Sequence, residues 1–426
     1  MQVRRILLDC TYTRLQPRAV GITRTVRRLA EELPAVARAQ GADFVCVAFD
    51  GDGFRDAGAL APLAGDEARP AALRAATGPL KRVVENILRL PWPLVRPAWA
   101  LASGVSFREA VASRKRIAFA PGDVLVLADA SWNYAVDKGA RQARRSGAAV
   151  VGVIYDLMPL QAPQFCLPWV RGAFADWLRR LVGGSDALLC DSRFTLESVR
   201  EAARRHGWEM PPADSFRLGC DVPVASDGSV RDDLRAFLQH PRCYAVLGSF
   251  EPKKNHALVV AAFEDAWRRG CDARLLVIGR RTGECRDVVE RLERHAREAA
   301  RVMLVDDAND TEVAHAYRHC RALVVPSLYE GFGLPLVEAR TAGCPVLASD
   351  LPVFREIADA GVRWFDPRDA SQLAGLLIDD ASGGAAAVPA MPAFSWRDSA
   401  RQCVERIGAL LPAPGGGVSL LGSSTP

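Results

Sequence analysis

The stretch SLYEGFGLPLVEA, Ser327–Ala339, places two carboxylates, Glu330 and Glu338, around a Gly-Phe-Gly turn. It follows the apolar run RALVVPS and leads into PLVEARTAG. The first run has the length and Leu/Val content of a buried strand. The second reads as a helix, with Pro335 suited to its first turn and Gly343 to its end. Glu330 and the glycines therefore fall on a loop at the carboxyl end of a strand, where open α/β sheets bind ligands. The glycines let the backbone come close to a ligand, and the helix start offers free N–H groups and a positive dipole end to an anion.

Glu338 falls about one turn inside the helix, within reach of the same ligand. Two carboxylates repel a phosphate, so hydrogen-bond donors have to satisfy them, and sugar hydroxyls are natural donors. The stretch reads as a site for a sugar linked to a phosphate.

Outward from this block, one alternation occurs twice. Strand-length apolar runs appear at RILLDC, DFVCVAF, DVLVLAD, AVVGVIYD, DALLCDS and SFRLGC, with helical stretches such as Gly21–Gln40 and Trp169–Leu181 between them. After a charged, irregular segment from Asp221 to about His240 the pattern restarts with CYAVLGS, ARLLVIG, RVMLVD, RALVVPS and PVLASD. Continuous Val/Ile/Leu runs alternating with helices predict parallel sheets covered on both faces. Two in tandem predict an α/β chain of two doubly wound, Rossmann-like domains facing across a cleft. The boundaries expected are 1–222 and 241–392, with a closing helix at 393–412 and a Gly/Pro/Ser-rich, disordered tail at 413–426.

Composition agrees with this picture. The chain has 426 residues, 49% hydrophobic and 25% charged, with a net charge of +5. That is the profile of a globular protein of two domains. No apolar run approaches the length of a membrane-spanning helix, and MQVRRILLDCTY reads as a first strand and not as a leader. The 11 cysteines include no Cys-x-x-Cys pair and several lie in apolar runs, which predicts reduced, buried thiols in a cytoplasmic protein. Neither half carries G-x-G-x-x-G or a P-loop, so nicotinamide and P-loop phosphate chemistry are not expected. His315 and His319 stand four apart, but no further ligands follow at a recognisable spacing, and no metal site is expected.

Within PSLYEGFGLPLVEA, the Glu330-x7-Glu338 block, preceded by GSFEPKKNH, resembles the donor-binding half of the family-4 retaining glycosyltransferases of the GT-B fold. GITRTVRRLAEEL, VIYDLMPLQAPQF, LLCDSRFTLESV and FSWRDSARQCVERI are similar to landmarks of the same family. The resemblance implies a C-terminal helix crossing back to the N-terminal domain. It implies that Lys254 binds the nucleotide diphosphate, that Glu338 accepts from the ribose, and that Glu330 holds the transferred sugar. Backbone N–H groups around Gly331, at Phe332, Gly333 and Leu334, meet phosphate or sugar, and Gly21 lets the first loop approach the diphosphate. Two positions depart from the family pattern. Ser249 stands where an Arg is common, which leaves Lys253 or Arg280 as the second cation, Lys253 being favoured. Tyr155 stands where a histidine is common, beside Asp156. Either Tyr155 and Asp156 contact the sugar or they form a buried structural pair.

The resemblance implies retention of anomeric configuration without a bound metal or cofactor, cationic side chains and helix dipoles stabilising the leaving diphosphate. The expected activity is transfer of a hexose, mannose- or rhamnose-type favoured, from a GDP- or UDP/dTDP-linked donor to a saccharide, lipid-linked acceptor. That places the protein in cell-surface polysaccharide biosynthesis. A nucleotide-sugar epimerase or hydrolase on the same fold, or a non-catalytic sugar-nucleotide-binding subunit, is the alternative. A glycosidase is disfavoured because its two acids flank one sugar from opposite faces, whereas one helix start brings both glutamates to one side. Leu80–Ile117 carries eight basic residues against two glutamates, a local balance of +6, interleaved with apolar groups including Trp92 and Trp99. It suits peripheral contact with anionic lipid at the inner face of the cytoplasmic membrane. No nucleic-acid recognition module appears.

Overall fold

The computed structural model describes residues 3–16, 21–60, 114–134, 136–220, 229–382 and 388–411. The basic segment expected to meet lipid lies outside them as far as residue 113, as does the tail expected at 413–426. The chain divides into two compact units. Unit 1 comprises residues up to Asp191, Thr195–Arg217 and the chain from Arg397. Unit 2 comprises Ser192–Phe194 and Leu218–Trp396.

Unit 1 is built on β1 (Arg5–Asp9), β2 (Asp43–Phe49), β3 (Phe54–Asp56), β4 (Asp123–Leu127), β5 (Ala149–Ile154), β6 (Ala187–Cys190) and β7 (Ala213–Ser215). Their order across the sheet is β3-β2-β1-β4-β5-β6-β7. All pairs are parallel except β2–β3. The antiparallel β3 departs from the wholly parallel sheet the sequence predicts; FRD is too short and polar to stand out as a strand. The run SFRLGC also pairs differently from expectation. β6 ends at Cys190, whose partner is Ser215, so beyond that residue the sheet offers no neighbour to extend the ladder. Helices α1 (Ile22–Ala39), α2 (Asp137–Arg145), α3 (Pro168–Gly184) and α4 (Arg193–His206) connect the strands. The core gathers Leu7, Val47, Leu125, Val150 and Leu188 of the sheet with Phe174, Trp177 and Leu181 of α3.

Unit 2 contains β8 (Cys243–Leu247), β9 (Arg274–Ile278), β10 (Val302–Val305), β11 (Ala322–Val325), β12 (Val346–Ser349) and β13 (Val362–Phe365), in the order β10-β9-β8-β11-β12-β13. Every pair is parallel. β13 was not evident from sequence, because VRWF interrupts its apolar run with an exposed arginine. The helices of this unit are α5 (Asp232–Leu238), α6 (His256–Arg268), α7 (Arg286–Ala299), α8 (Asp310–His319), α9 (Leu334–Thr341), α10 (Pro352–Ile357) and α11 (Ala370–Ser382). The last helix, α12 (Trp396–Leu410), belongs from Arg397 onward to unit 1. There Arg397 Nε meets Glu32 Oε2 at 2.9 Å, and Gln402 Oε1 accepts from the Arg217 N–H at 2.6 Å.

A fully buried arginine fixes α9. Arg340 is 0% exposed and donates to both Asp359 carboxylate oxygens and to the carbonyls of Cys344 and Pro389. A Cβ at Gly361 would lie 2.2 Å from the guanidinium carbon, so glycine is what leaves room for the charge.

Unit 1 buries a second polar network, at the carboxyl ends of β1 and β4. Asp9 accepts from the Thr11 hydroxyl at 2.5 Å and the Tyr134 hydroxyl at 2.6 Å. Asp129 accepts from the Thr13 hydroxyl and N–H, both at 2.8 Å. Burial and then the charge of Asp129 push the Asp9 carboxyl up to about 7, against the hydroxyl donors. Burial pushes Asp129 up to about 6. Because the folded pKa values exceed the ordinary 3.8, the network is most stable below that value and loses stability as pH rises through about 7. Asp9→Asn, which keeps size but removes one charge, should gain in Tm relative to the parent as pH goes from 5 to 8. The corresponding gain in unfolding free energy is on the order of 1–2 kcal/mol. Thermal unfolding of both proteins across that range measures it; a pH-independent Tm difference contradicts the assignment.

Candidate functional site

Strand order reverses between β8 and β11, and at such a switch point the loops leaving the two strands diverge and open a crevice. The loop after β8 runs through Gly248, Ser249 and a short 3-10 turn, Pro252–Lys254. The loop after β11 is the Ser327–Gly333 stretch.

Close backbone packing shapes the first loop. Gly248 adopts φ 149°, and its N–H donates to the Ile278 carbonyl at 3.0 Å. A Cβ on Gly279 would come within 1.9 Å of the Gly248 carbonyl oxygen. Phe250 N–H then donates to the Arg280 carbonyl at 2.9 Å, pinning the loop to the end of β9. Asn255, in the left-handed region at φ 55°, starts α6. Its side-chain amide donates to the carbonyls of Pro326 at 3.1 Å and Pro367 at 2.8 Å. This amide ties the loops after β8, β11 and β13 together.

Across the switch point Lys254 Nζ meets Glu330 Oε1 at 2.5 Å, both side chains largely covered. The Ser327 hydroxyl donates to the same oxygen at 2.8 Å. Burial would raise the Glu330 carboxyl; the ammonium groups of Lys254 and Lys253 and the two hydrogen bonds outweigh it, holding the group below the ordinary carboxylate range. Glu330 is therefore an anion at neutral pH, able only to accept. Lys253 Nζ lies 3.9 Å from Glu251, which also accepts from the Ser249 hydroxyl at 2.5 Å. Ser249 thus organises the acid beside Lys253. Arg280 is exposed at the end of β9, and the charges acting on Glu330 are those of the two lysines.

Gly333 adopts φ 109° at the start of α9, and a Cβ there would lie 2.5 Å from the Phe354 ring. Glycine lets the chain turn from Gly331 and Phe332 into the helix at Leu334, aiming the helix start at the crevice. Glu338, on the second turn, is 4% exposed and accepts from the Tyr317 hydroxyl of α8 at 2.8 Å.

In unit 1, Gly21 adopts φ 52° before α1, with open space where a side chain would project. Tyr155 and Asp156 follow β5. Tyr155 is 7% exposed and its hydroxyl donates to the Ala128 carbonyl at 2.8 Å. The phenol packs between the ends of β4 and β5. Asp156 Oδ1 accepts from the Met158 N–H at 3.0 Å, turning the chain after the strand.

Four contributors were not singled out from sequence. Ser327, Asn255 and Tyr317 are named above. The fourth is His256, 2% exposed and stacked on Phe250 at 4.5 Å. Burial first, and then the Lys254 charge, lower its pKa to about 4, so it stays neutral and adds no third cation. Ser327 and Asn255 are polar residues at strand ends inside the quoted blocks; Tyr317 has no local signal. His315 and His319 stack on each other at 3.9 Å. Among the described residues no three His, Cys, Asp or Glu side chains are grouped to hold a metal. No helix among them is long and apolar enough to cross a membrane.

Residues 232–380 match the family Glycosyl transferases group 1. The serotype-specific mannosyltransferase WbdA of Escherichia coli is 30% identical over 270 residues, covering 61% of this chain and 33% of WbdA. The phosphatidyl-myo-inositol mannosyltransferase of Mycolicibacterium smegmatis is 32% identical over 195 residues, covering 45% of this chain and 46% of its own length. The chain thus spans a third to a half of these relatives. Anabaena HepE, solved with UDP and glucose, aligns over 96% of this chain and 97% of its own at TM-score 0.55 and 13% identity. The trehalose 6-phosphate synthase of Burkholderia multivorans aligns over 96% and 93% at TM-score 0.57 and 14% identity. Unit 2 thus carries a Glycosyl transferases group 1 domain, and the chain as a whole has the GT-B fold of these solved structures.

Proposed function

We propose that this protein transfers a hexose, mannose-type favoured, from a nucleotide diphosphate sugar to a saccharide acceptor in cell-surface polysaccharide biosynthesis. The observation that carries the reading is the meeting of Lys254 and Glu330 beside Gly248 at the switch point of unit 2. A diphosphate at the start of α9 takes Lys254 and Lys253 as counter-charges, while ionised Glu330 accepts from hydroxyls of the attached sugar. As the bond from C1 to the diphosphate breaks, its electron pair leaves on phosphate, where fixed cations and the helix dipole stabilise it. The acceptor oxygen then bonds C1 as its proton passes to the departing diphosphate oxygen. Glu338, fixed by Tyr317, serves the ribose hydroxyls. Retention of configuration and independence from metal rest on the likeness of the Glu330-x7-Glu338 block and on the protein-borne cations. The mannosyltransferases among the relatives support the sugar. A lipid-linked acceptor and peripheral contact with anionic membrane rest on the basic, Trp-containing segment at Leu80–Ile117.

Lys254→Ala should lower turnover on the order of 10²–10³-fold, the usual effect of removing one transition-state donor. Its Tm should change far less; steady-state transfer beside thermal unfolding checks both, and near-parental transfer by the folded variant refutes the role. Activity should persist in excess EDTA. Loss that Mg²⁺ or Mn²⁺ restores shows instead that a metal carries the leaving-group charge.

The two glutamates should separate. Glu338→Gln weakens free nucleotide diphosphate and whole donor alike. Glu330→Gln leaves the free nucleotide nearly unchanged and cuts transfer by about one to two orders of magnitude, the worth of a charge-assisted hydrogen bond. Calorimetric titration with nucleotide diphosphate beside transfer assays reads the two effects independently. Equal loss of nucleotide affinity in both variants assigns both acids to the nucleotide.

A further inference from the structure

A cavity of about 560 Å³ in unit 2 is bounded in part by the loop that carries Glu330. Its volume is that of a small-molecule site. Leu328 forms one wall, and Asp350, Trp364, Asp366, Arg368 and Gln372, at or beyond the carboxyl ends of β12 and β13, form the rest. The same loop therefore presents Glu330 to the crevice at the switch point and Leu328 to this cavity. The Asn255 amide holds the arrangement by bridging the carbonyls of Pro326 and Pro367.

The aromatic wall is rigid. The Arg355 guanidinium sits 4.1 Å above the Trp364 ring. Both nitrogens that hold it in place bond Asp350, at 2.7 and 2.9 Å. Trp364 is thus backed on one face by a cation that is itself neutralised. The surrounding polar groups nearly balance in sign: Asp350 pairs with Arg355, and Asp366, which accepts from the backbone N–H of Arg368 at 2.8 Å, shares the lining with the Arg368 side chain. An indole beside carboxylate, amide and guanidinium groups of little net charge is poorly matched to a phosphate or a metal ion. It matches a neutral sugar ring, which lays a C–H face on an aromatic plane and directs hydroxyls to polar groups at its edge.

We propose that this cavity is a saccharide subsite, holding a neutral sugar residue one loop away from the transferred hexose. Its assignment to the acceptor chain rests on the glycosyl-transfer reading above; its capacity to bind a saccharide does not.

The experiment uses the whole chain labelled with 5-fluorotryptophan, the Trp364 resonance being assigned by its loss in Trp364→Phe. Titration with α-linked mannotriose should shift that resonance, and GDP alone should leave it in place. Calorimetry should show mannotriose binding about three- to tenfold weaker in Trp364→Ala, from lost aromatic contact, with GDP affinity unchanged. Arg368→Ala, away from the indole packing, should weaken mannotriose binding in the same direction. If Trp364→Ala fails to fold, the fluorine shift in the parent and the Arg368→Ala titration decide. An unmoved resonance, equal mannotriose binding by parent and variants, or a shift produced by GDP alone overturns the subsite. A mannotriose shift in a protein that transfers no sugar upholds the subsite and removes the transferase reading; transfer with an unmoved resonance does the reverse.

Discussion

Lys254 and Glu330 lie 76 residues apart, and only the adjacency of β8 and β11 makes them neighbours. Their ion pair spans the point where the strand order reverses, so the sheet sets the distance between the cation and the anion. Much of the surrounding structure holds that geometry. Gly279 admits the backbone of the first loop, Asn255 fastens it to the second, and Ser327 keeps the carboxylate aimed at the lysine.

The charge balance of the site follows from the same neighbours. Two lysines face Glu330 and Glu251, while His256 is kept neutral by burial beside Phe250. The unliganded site is therefore close to electrically self-satisfied.

Most of the sheet architecture was legible because its signal is local. Buried parallel strands are continuous apolar runs, and ten of the thirteen described strands produced a recognisable run. The three missed, FRD of β3, ADS of β7 and VRWF of β13, are edge strands whose side chains partly face water, so apolar continuity breaks down there. The donor-side residues were legible for a related reason: glycine, proline, lysine and glutamate stand at fixed offsets in two short loops. Tyr317 was not, because it reaches Glu338 from another helix and sits in an ordinary amphipathic pattern. Tyr155 was legible as a strand-end residue, but whether its hydroxyl turns to the core depended on Ala128, 27 residues away.

The contact between Gly279 and the Gly248 carbonyl also bears on how this site can change over evolutionary time. The lysines, Ser249 and Arg280 project from the backbone, and their substitution alters chemistry while leaving the loops in place. A side chain at residue 279 would enter the space of a carbonyl oxygen, and no rotamer relieves a clash made by Cβ itself. The projecting residues can drift, then, while position 279 stays closed to every side chain for as long as the two strand ends remain packed this closely.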